Sequence, residues 1–340
     1  MTEKKPRLLF ITQKIHARDD DLAFAILWIK EFIRQGYDVT ALCLEKRDFD
    51  DSFTVYSLGK ERGYGKFRRV LRFLRFILTL KCDRVYVHMN AEYFTLGGWW
   101  WFLRRTPMYF WYTHITMTFH VWLAGVLSKR MFAATSQSLP QYEGSPKKIV
   151  TGHGIDINFW KGGAAETPTE TSLFYINRLS RSKRVELAIR ALDYLPREYI
   201  LTIYGRVVPG EEKYNDELRA LAREERYKNR VVFKGSFPMA ELRNIYPQYR
   251  LMINMASDTI DKAMLEAMLY GVFPIATKET SIAIGLPVYP EDDRPESLAR
   301  FIQGGAWRSY DRAYLANIVK EKHSLESLIR KMGSYIEPGI

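Results

Sequence analysis

The chain has 340 residues, 47% of them hydrophobic and 26% charged, so we expect two folded domains and exclude a disordered or collagen-like chain. The formal net charge of +12 is concentrated in residues 1–150, where 24 Lys and Arg face 14 Asp and Glu. The positive electrostatic field of this half of the chain favours an anionic partner: nucleic acid, an acidic lipid surface or a phosphorylated substrate. The two cysteines, Cys43 and Cys82, indicate neither a disulfide framework nor a thiolate metal site and fit a cytoplasmic compartment.

Strands and helices alternate along the first half of the chain. Residues 7–12 predict a buried strand, 21–35 a helix that ends at Gly36, and 38–44 a second strand. The alternation continues with helices near 66–80, 92–103 and 117–128 and with strands at 84–88, 108–113 and 130–135. This order predicts a parallel sheet that is covered by helices on both faces.

A second alternating series begins near residue 172, continues with a helix predicted at 183–195, and runs to a strand at 273–276. Between the two series lies the polar stretch 161–172, which predicts a linker. The first strand is followed by residues 13–21, which lack the glycine fingerprint of dinucleotide-binding proteins, and a P-loop is also missing. Apolar stretches such as 96–103 are much shorter than the ~20 residues that span a bilayer, so any membrane attachment is predicted to be peripheral.

Several motifs follow one another in the second half. They are Gly152-His-Gly-Ile-Asp156, Ile176-Asn-Arg-Leu-Ser-Arg-Ser-Lys183, Gly205 after a strand, Val231–Gly235, and Asp258 to Pro274 with Glu266-Ala-Met inside it. In this order they resemble the retaining GT-B glycosyltransferases of the large family four, most specifically over residues 152–277. The resemblance implies an α/β, GT-B fold: two Rossmann-like, doubly wound domains facing across a cleft.

The resemblance also implies a role for each domain. Residues 1–152, with a crossover helix at about 324–340, would bind the acceptor, and residues 153–323 would bind the nucleotide-sugar donor. Ligands of doubly wound sheets lie at the carboxyl ends of the strands, where these motifs occur.

The resemblance assigns Arg178 and Lys183 to the donor diphosphate and places Gly205 in the donor site. A guanidinium and an ammonium aimed at a departing diphosphate stabilise the charge that it gains in the transition state. The alternative is that both are solvated residues at a strand-to-helix turn. Asn177 and Arg184 stand where the family usually has glycine.

Two acids eight positions apart, Asp258 and Glu266, match the family's acid pair. The resemblance implies that Glu266 accepts both ribose hydroxyls and that Asp258 faces the transferred sugar. The family usually has Glu at the first position followed by Gly-Phe-Gly, whereas this chain has no glycine there. Asp261 and Lys262 are therefore added to the predicted donor site, with Lys262 supplying charge that backbone amides normally give.

On the acceptor side, the segment Trp111-Tyr-Thr-His114 resembles the family's strand-end histidine, which makes His114 a predicted catalytic residue. His88 and Arg18 are further predicted acceptor-binding residues, although a histidine at a strand end is often structural. No bound metal is expected, because protein cations replace it in this fold. The D-x-D spacing in Asp19–Asp21 is better explained as an N-cap of the following helix.

Residues 60–105 contain 11 basic and three acidic side chains. Arg68, Arg72 and Arg75 form one helical stripe, and residues 99–105 place three tryptophans beside two arginines. This combination suits the interface of an anionic membrane, and the alternative is a helix whose charged face is simply solvated. Nucleic acid is disfavoured as a partner, since no nucleic-acid-binding module is visible.

Taken together, the sequence predicts a retaining hexosyltransferase at the inner face of the cell membrane. It would move a sugar from a UDP- or GDP-linked donor to a hydroxyl of a glycan or lipid-linked acceptor. A GT-B-fold epimerase or phosphorylase, or a catalytically silent membrane-bound scaffold, remains as the alternative.

Overall fold

The computed structural model describes residues 5–17, 24–114, 116–161, 168–238, 241–256 and 260–336. The chain divides into two compact units: unit 1 is Met1–Gly154 with Leu325–Ile340, and unit 2 is Ile155–Ser324. The strands are β1 (Arg7–His16), β2 (Asp38–Arg47), β3 (Thr54–Ser57), β4 (Arg84–His88), β5 (Met108–Trp111), β6 (Arg130–Ala133), β7 (Lys148–Val150), β8 (Ser172–Ile176), β9 (Ile200–Tyr204), β10 (Val231–Gly235), β11 (Leu251–Asn254) and β12 (Phe273–Ala276). The α-helices are α1 (Phe24–Arg34), α2 (Lys66–Thr79), α3 (Glu92–Leu103), α4 (Phe119–Leu127), α5 (Val185–Ala191), α6 (Glu212–Ala222), α7 (Leu242–Ile245), α8 (Lys262–Met268), α9 (Lys278–Ile284), α10 (Pro295–Gly304), α11 (Arg312–Ile318) and α12 (Leu325–Ile336).

Unit 1 is built on a seven-stranded parallel sheet in the order β3-β2-β1-β4-β5-β6-β7. Successive strand residues point to opposite faces, so Phe10 and Tyr86 pack with α1 and α12, whereas Leu9 and Val85 pack with α2, α3 and α4. Both faces of the sheet are therefore covered, which explains why its central strands are almost entirely apolar.

Unit 2 is built on a five-stranded parallel sheet in the order β10-β9-β8-β11-β12. One core cluster joins its strands and helices, and all four residues of β11 are buried. The two parallel sheets with alternating helices confirm the predicted α/β class.

Short elements account for most differences from the sequence prediction. The edge strands β3 and β7 have four and three residues and were not predicted, because they are only partly buried and contain no apolar run that would indicate a strand. Lys183 was predicted to begin a helix, but it lies in the 3-10 turn Arg181–Lys183, and α5 starts at Val185 after Arg184 adopts a left-handed conformation. Within the described part of the chain, no helix has both the length and the apolar character needed to cross a lipid bilayer.

Each sheet has one point at which the order of its strands reverses. In unit 1 the chain builds outward from β1 to β3 and then resumes on the other side of β1 with β4; in unit 2 the reversal falls between β8 and β11. Loops at the carboxyl ends of these strands diverge to opposite faces of the sheet and leave a crevice, the usual ligand site of such sheets. The strand order thus directs attention to the loops after β8 and β11 and after β1 and β4.

Candidate functional site

A buried ion pair joins the two loops at the reversal point of unit 2. Lys183, in the turn after β8, directs Nζ to Oδ1 of Asp261 at 2.8 Å, and only 5% of the Lys183 side chain is exposed. Asp261 directly precedes α8 and also accepts a hydrogen bond from Nδ2 of Asn254 through its second oxygen, at 2.8 Å. Asn254 is the last residue of β11 and is itself buried. The ammonium is therefore held by a carboxylate that is in turn oriented by the sheet.

Arg178 lies earlier in the loop after β8, and its side chain is exposed. Its backbone amide donates to Oδ1 of Asn177 at 2.7 Å, and its carbonyl accepts from the Tyr175 hydroxyl at 3.0 Å. Among the described residues, no hydrogen bond or ion pair engages the Arg178 guanidinium. The backbone at Arg178 is thus fixed, whereas the charged group is available to a ligand.

Arg184 ties the same two loops together. Its Nε donates to the carbonyl of Met255 at 2.7 Å, and its Nη1 forms an ion pair with Asp293 at 2.8 Å. Its φ of +49° lies in the left-handed region that favours glycine. This conformation agrees with the glycine that the family resemblance implies at this position, and in this chain the hydrogen bond and the ion pair hold a larger residue in it.

Gly205 follows β9 and permits a close approach of backbone. A Cβ atom added at Gly205 would lie 2.0 Å from the carbonyl oxygen of Asn177, a distance that no side chain can adopt. The Gly205 amide donates to the Gly235 carbonyl at 2.8 Å. The glycine therefore positions the loop that carries Arg178.

Glu266 lies on α8, where its Oε2 accepts a hydrogen bond from the buried Tyr246 hydroxyl at 3.1 Å. Loss of water around the carboxylate raises the pKa of Glu266 to about 7, and the opposing effects of Lys262 and of the Tyr246 hydrogen bond are smaller. Burial likewise lowers the pKa of Lys262 to about 8, against the attraction of Glu266. The first turns of α8 therefore carry an acid and a base whose charges depend on pH near neutrality.

The predicted acceptor residues lie in unit 1, at two different depths. His88 ends β4 and is buried, with its ring stacked on Trp111 at 4.9 Å and its Nδ1 at 3.4 Å from the Thr12 hydroxyl on β1. His114 is exposed in the loop after β5, with only the Tyr112 ring beside its own. Arg18 and Asp258 lie outside the described residues, as does the D-x-D segment. For all four residues, the assigned roles stay predictions.

Three residues that support this site did not emerge from the sequence: Asn254, Tyr246 and Met255, through its carbonyl. Asn254 offers a signal in retrospect, because it is a polar residue that ends an otherwise apolar strand at the reversal point. Tyr246 gives no such signal, since its hydroxyl reaches Glu266 across 20 residues of chain. Among the described residues, no group of three or more His, Cys, Asp or Glu side chains is arranged to hold a metal ion.

Comparison with known proteins gives one family match and many structural ones. The family of glycosyl transferases group 1 matches residues 156–284, which lie within unit 2 and include the ion pair, Arg178 and Glu266. Among curated proteins, no sequence matches the chain.

Solved structures are similar over almost the whole chain at low sequence identity. They include HepE from Anabaena in complex with UDP and glucose (16% identity, 96% of this chain and 98% of that one, TM-score 0.72) and a sucrose-phosphate synthase from Thermosynechococcus elongatus (13%, 97% and 98%, 0.71). The lipopolysaccharide outer core galactosyltransferase WaaB in its apo form is a third (16%, 97% and 99%, 0.73). At these identities the likeness establishes the fold, which is GT-B.

Proposed function

We propose that the protein is a retaining glycosyltransferase, because the family of glycosyl transferases group 1 matches residues 156–284 and the chain has the GT-B fold. In this proposal it moves a hexosyl group from a UDP- or GDP-linked donor to a hydroxyl of a glycan or lipid-linked acceptor at a membrane surface. The observation that carries the proposal is the ion pair between Lys183 and Asp261 at the reversal point of unit 2. This ion pair fixes the position of the Lys183 ammonium, one of the two cations of the predicted diphosphate site.

Lys183 and Arg178 would act together on the donor diphosphate. The bond between sugar and phosphate breaks with its electrons going to the phosphate, so the leaving group becomes more negative in the transition state. A cation that is already oriented stabilises this charge without a cost of reorganisation. Lys183 is held in this way by Asp261, and the exposed Arg178 would close onto the phosphate as a second donor of hydrogen bonds.

Glu266 would accept hydrogen bonds from both hydroxyls of the donor ribose. Only the ionised carboxylate has two acceptor oxygens free of a proton, so the raised pKa makes this contact dependent on pH. Asp261 would lie beside the same diphosphate, where its ion pair orients Lys183. The bound UDP and UDP-glucose of HepE support a uridine nucleotide as the donor of this chain, with GDP as the alternative to be tested.

The acceptor would approach from a membrane surface. Exposed apolar side chains are concentrated on α2, α3 and α4 of unit 1: Phe67, Leu71, Leu78, Trp99, Phe102, Leu103, Phe119, Trp122 and Val126. We call these residues the apolar surface of unit 1. Arg104 and Arg105 follow α3 directly, so the surface combines aromatic rings with cations, as interfacial proteins do. Trp101, by contrast, is buried and belongs to the core.

Retention would follow from attack on the face that the leaving group vacates. The leaving phosphate would take the proton from the acceptor hydroxyl, with His114 close to the reacting sugar. The protein would then contribute mainly orientation and charge stabilisation. Proton NMR of the first-formed product distinguishes retention from inversion by the coupling constant of the new anomeric proton.

The donor assignment is tested by isothermal titration of UDP and GDP into the full chain. Lys183→Ala should weaken nucleoside diphosphate binding by at least tenfold and turnover by about a hundredfold, as expected when a buried charge contact to phosphate is lost. Arg181→Ala is the matched control, because Arg181 lies in the same turn but is exposed and paired with Glu217 at 2.7 Å. Equal binding by both variants would remove Lys183 from the site.

The rival functions give different results in the same preparation. A silent scaffold predicts no binding of either nucleotide. An epimerase or phosphorylase predicts that radiolabelled nucleotide sugar and membrane extract yield an isomerised sugar or a sugar phosphate rather than a glycosylated acceptor.

A further inference from the structure

Outside the donor site, three arginines surround one half-buried tyrosine in unit 1. The guanidinium carbon of Arg68 lies 3.6 Å from the centroid of the Tyr64 ring, and that of Arg72 lies 5.5 Å away. The interaction of Arg62 with the Tyr64 hydroxyl is the main reason why the pKa of Tyr64 is lowered below its usual value of 10, and the charges of Arg68 and Arg72 add to it. We call Arg62, Arg68 and Arg72 the arginine cluster.

The cluster has too few negative partners within the described residues. Arg62 has Glu61 at 3.6 Å, whereas no carboxylate there forms an ion pair with Arg68 or Arg72. Arg72 instead donates from Nη2 to the Ser57 carbonyl at 2.9 Å, and its Nε is buried without a hydrogen-bond partner. The positive charge of the cluster is therefore not balanced locally.

A cavity of about 550 Å³ adjoins the cluster at the carboxyl ends of β2 and β3. Its lining includes four basic residues: Arg62, Arg72, Lys46 and Arg47. The rings of Tyr56 and Phe76, 5.0 Å apart, also line it and provide an apolar wall.

The two carboxylates that line the cavity already have partners. Asp48 faces Nε2 of His16 at 3.0 Å, and Glu61 accepts from the Ser57 hydroxyl at 2.8 Å and from the Lys46 amide at 3.3 Å. They would not need to move for an anion to reach Arg72.

Like charges that gather around one ring repel each other, and contact with the ring offsets only part of this repulsion. An anion offsets the remainder, and the planar fork of a guanidinium matches two oxygens of a phosphate. We infer that the arginine cluster is a second anion site that binds a phosphate group, with the body of the ligand in the adjoining cavity.

The inference deepens the proposed function and rests on it for the identity of the ligand. A phosphate near the acceptor side has two sources: the phosphate that links a lipid to its sugar, or a soluble sugar phosphate. Both present the same chemistry to the cluster, and the experiment separates them.

Equilibrium dialysis of radiolabelled inorganic pyrophosphate against the full chain tests the site directly. Lys183→Ala serves as background, so that the donor site contributes little. In that background, Arg62→Gln and Arg68→Gln should each weaken pyrophosphate binding by about tenfold. Arg75→Gln should change pyrophosphate binding less than twofold. This substitution removes the same charge from the helix that carries Arg68, but Arg75 is exposed and does not face Tyr64. Circular dichroism melting verifies that each variant is folded.

An equal loss of pyrophosphate binding in all three variants would show that binding depends only on the net positive charge of this region, and it would overturn the site. Absence of pyrophosphate binding in the Lys183→Ala background would also overturn it. Competition then identifies the source. Displacement by glucose 1-phosphate indicates a soluble ligand. Displacement only by phosphatidylcholine vesicles that contain phosphatidic acid, and not by vesicles of phosphatidylcholine alone, indicates a lipid-linked one; displacement by neither contradicts the inference. UDP binding by Arg62→Gln with Lys183 intact measures the donor site separately.

Discussion

The environment of Glu266 is unfavourable for stability and favourable for binding. Its carboxylate is partly buried on α8, and burial raises its pKa from 4.5 to about 7. The folded state therefore binds a proton at Glu266 more tightly than the unfolded state does. Its contribution makes unfolding easier as the pH rises from about 4.5 to about 7, and the loss of stability is complete above that range.

Glu266→Gln should for this reason stabilise the protein at pH 8 by about 2–4 kcal/mol, the range that follows when the pKa is raised from 4.5 to about 7, and should change nothing below about pH 4.5. The amide oxygen can still accept from Tyr246. Chemical denaturation at the two pH values measures the effect. The exposed Glu225, replaced by Gln, is the control and should give no pH-dependent difference.

The same variant should lose UDP affinity at pH 8, since a glutamine side chain has only one acceptor oxygen for the two ribose hydroxyls. Greater stability together with weaker binding is the expected sign of a residue kept for function. Isothermal titration of UDP at pH 8 measures the affinity of the variant. A variant that is no more stable but binds UDP normally would show that Glu266 is a structural residue.

At this scale, motif spacing identified charged residues but not the groups that hold them. Arg178, Lys183 and Glu266 were predicted from their order along the chain. Their partners come from elsewhere in the fold: Asp261 lies 78 residues after Lys183, and Tyr246 belongs to the segment before β11. A pairing over such distances depends on which strands are neighbours, and sequence spacing does not contain that information.

At the scale of elements, the loops after β8 and β9 approach each other closely because Gly205 has no side chain. The carbonyl of Asn177, in the loop after β8, occupies the space beside Gly205, after β9. Gly205→Ala should force these loops apart and destabilise the protein by about 1–3 kcal/mol, as overpacking does. Arg178 moves with the displaced loop, so UDP affinity should fall as well.

Gly304→Ala is the matched control for that change. Gly304 is the last residue of α10, and a Cβ atom there meets nothing within 4 Å. Thermal melting should therefore find it neutral or slightly stabilising, because alanine is the better helix former. Equal melting temperatures for the two variants would show that the loops after β8 and β9 separate without cost.

Helices α3 and α4 present the apolar surface of unit 1, and its membrane role is testable at the level of these elements. Phe102→Ser and Phe119→Ser should each weaken binding to anionic vesicles by about tenfold, equivalent to about 1.4 kcal/mol and within the value of burying one such ring. Ile282→Ser is the control, since Ile282 is also exposed but lies on α9 in unit 2. Vesicle sedimentation measures all three, and an equal loss in the control would exclude a specific surface.

The apolar character of an element decided whether it was predictable. Strand β4 and helix α3 are mostly apolar, and the predicted bounds, 84–88 and about 92–103, agree with the observed ones. The edge strands β3 and β7 are only partly buried and contain no apolar run that would indicate a strand. The start of α5 was misplaced because helical spacing continues through Arg181–Lys183, whereas the left-handed backbone at Arg184 interrupts it.

Across the whole molecule, the chain enters unit 2 once and then returns to unit 1 with α12. The alternation of strands and helices was sufficient to predict two parallel sheets, since each series repeats the same unit. A crossover helix at about 324–340 that returns to the first domain was predicted only from the family resemblance, and α12 spans Leu325–Ile336. In the structure, the carbonyl of Ile336 accepts from Arg84 at 2.7 Å and from Tyr109 at 3.1 Å.

Removal of residues 325–340 should therefore unfold unit 1. Four side chains of α12, Leu328, Ile329, Met332 and Ile336, are almost completely buried on the sheet, and at about 1.5–3 kcal/mol each their loss approaches the whole stability of a domain. Unit 2 keeps Lys183, Asp261 and its core, so it should still melt cooperatively. Melting followed by circular dichroism should therefore show the unfolding transition of unit 2 but not that of unit 1.

A single substitution in α12 tests the same dependence of unit 1 on this helix, with a smaller expected loss of stability. Met332→Ala should lower the stability of unit 1 by about 2–5 kcal/mol through the cavity it leaves, whereas Arg330→Ala, on the exposed face of the same helix, should cost less than about 1 kcal/mol. Chemical denaturation followed by tryptophan fluorescence reports mainly on unit 1, because six of the eight tryptophans precede residue 155. If Met332→Ala left that transition unchanged, α12 would not be part of the folding unit that contains β1 to β7.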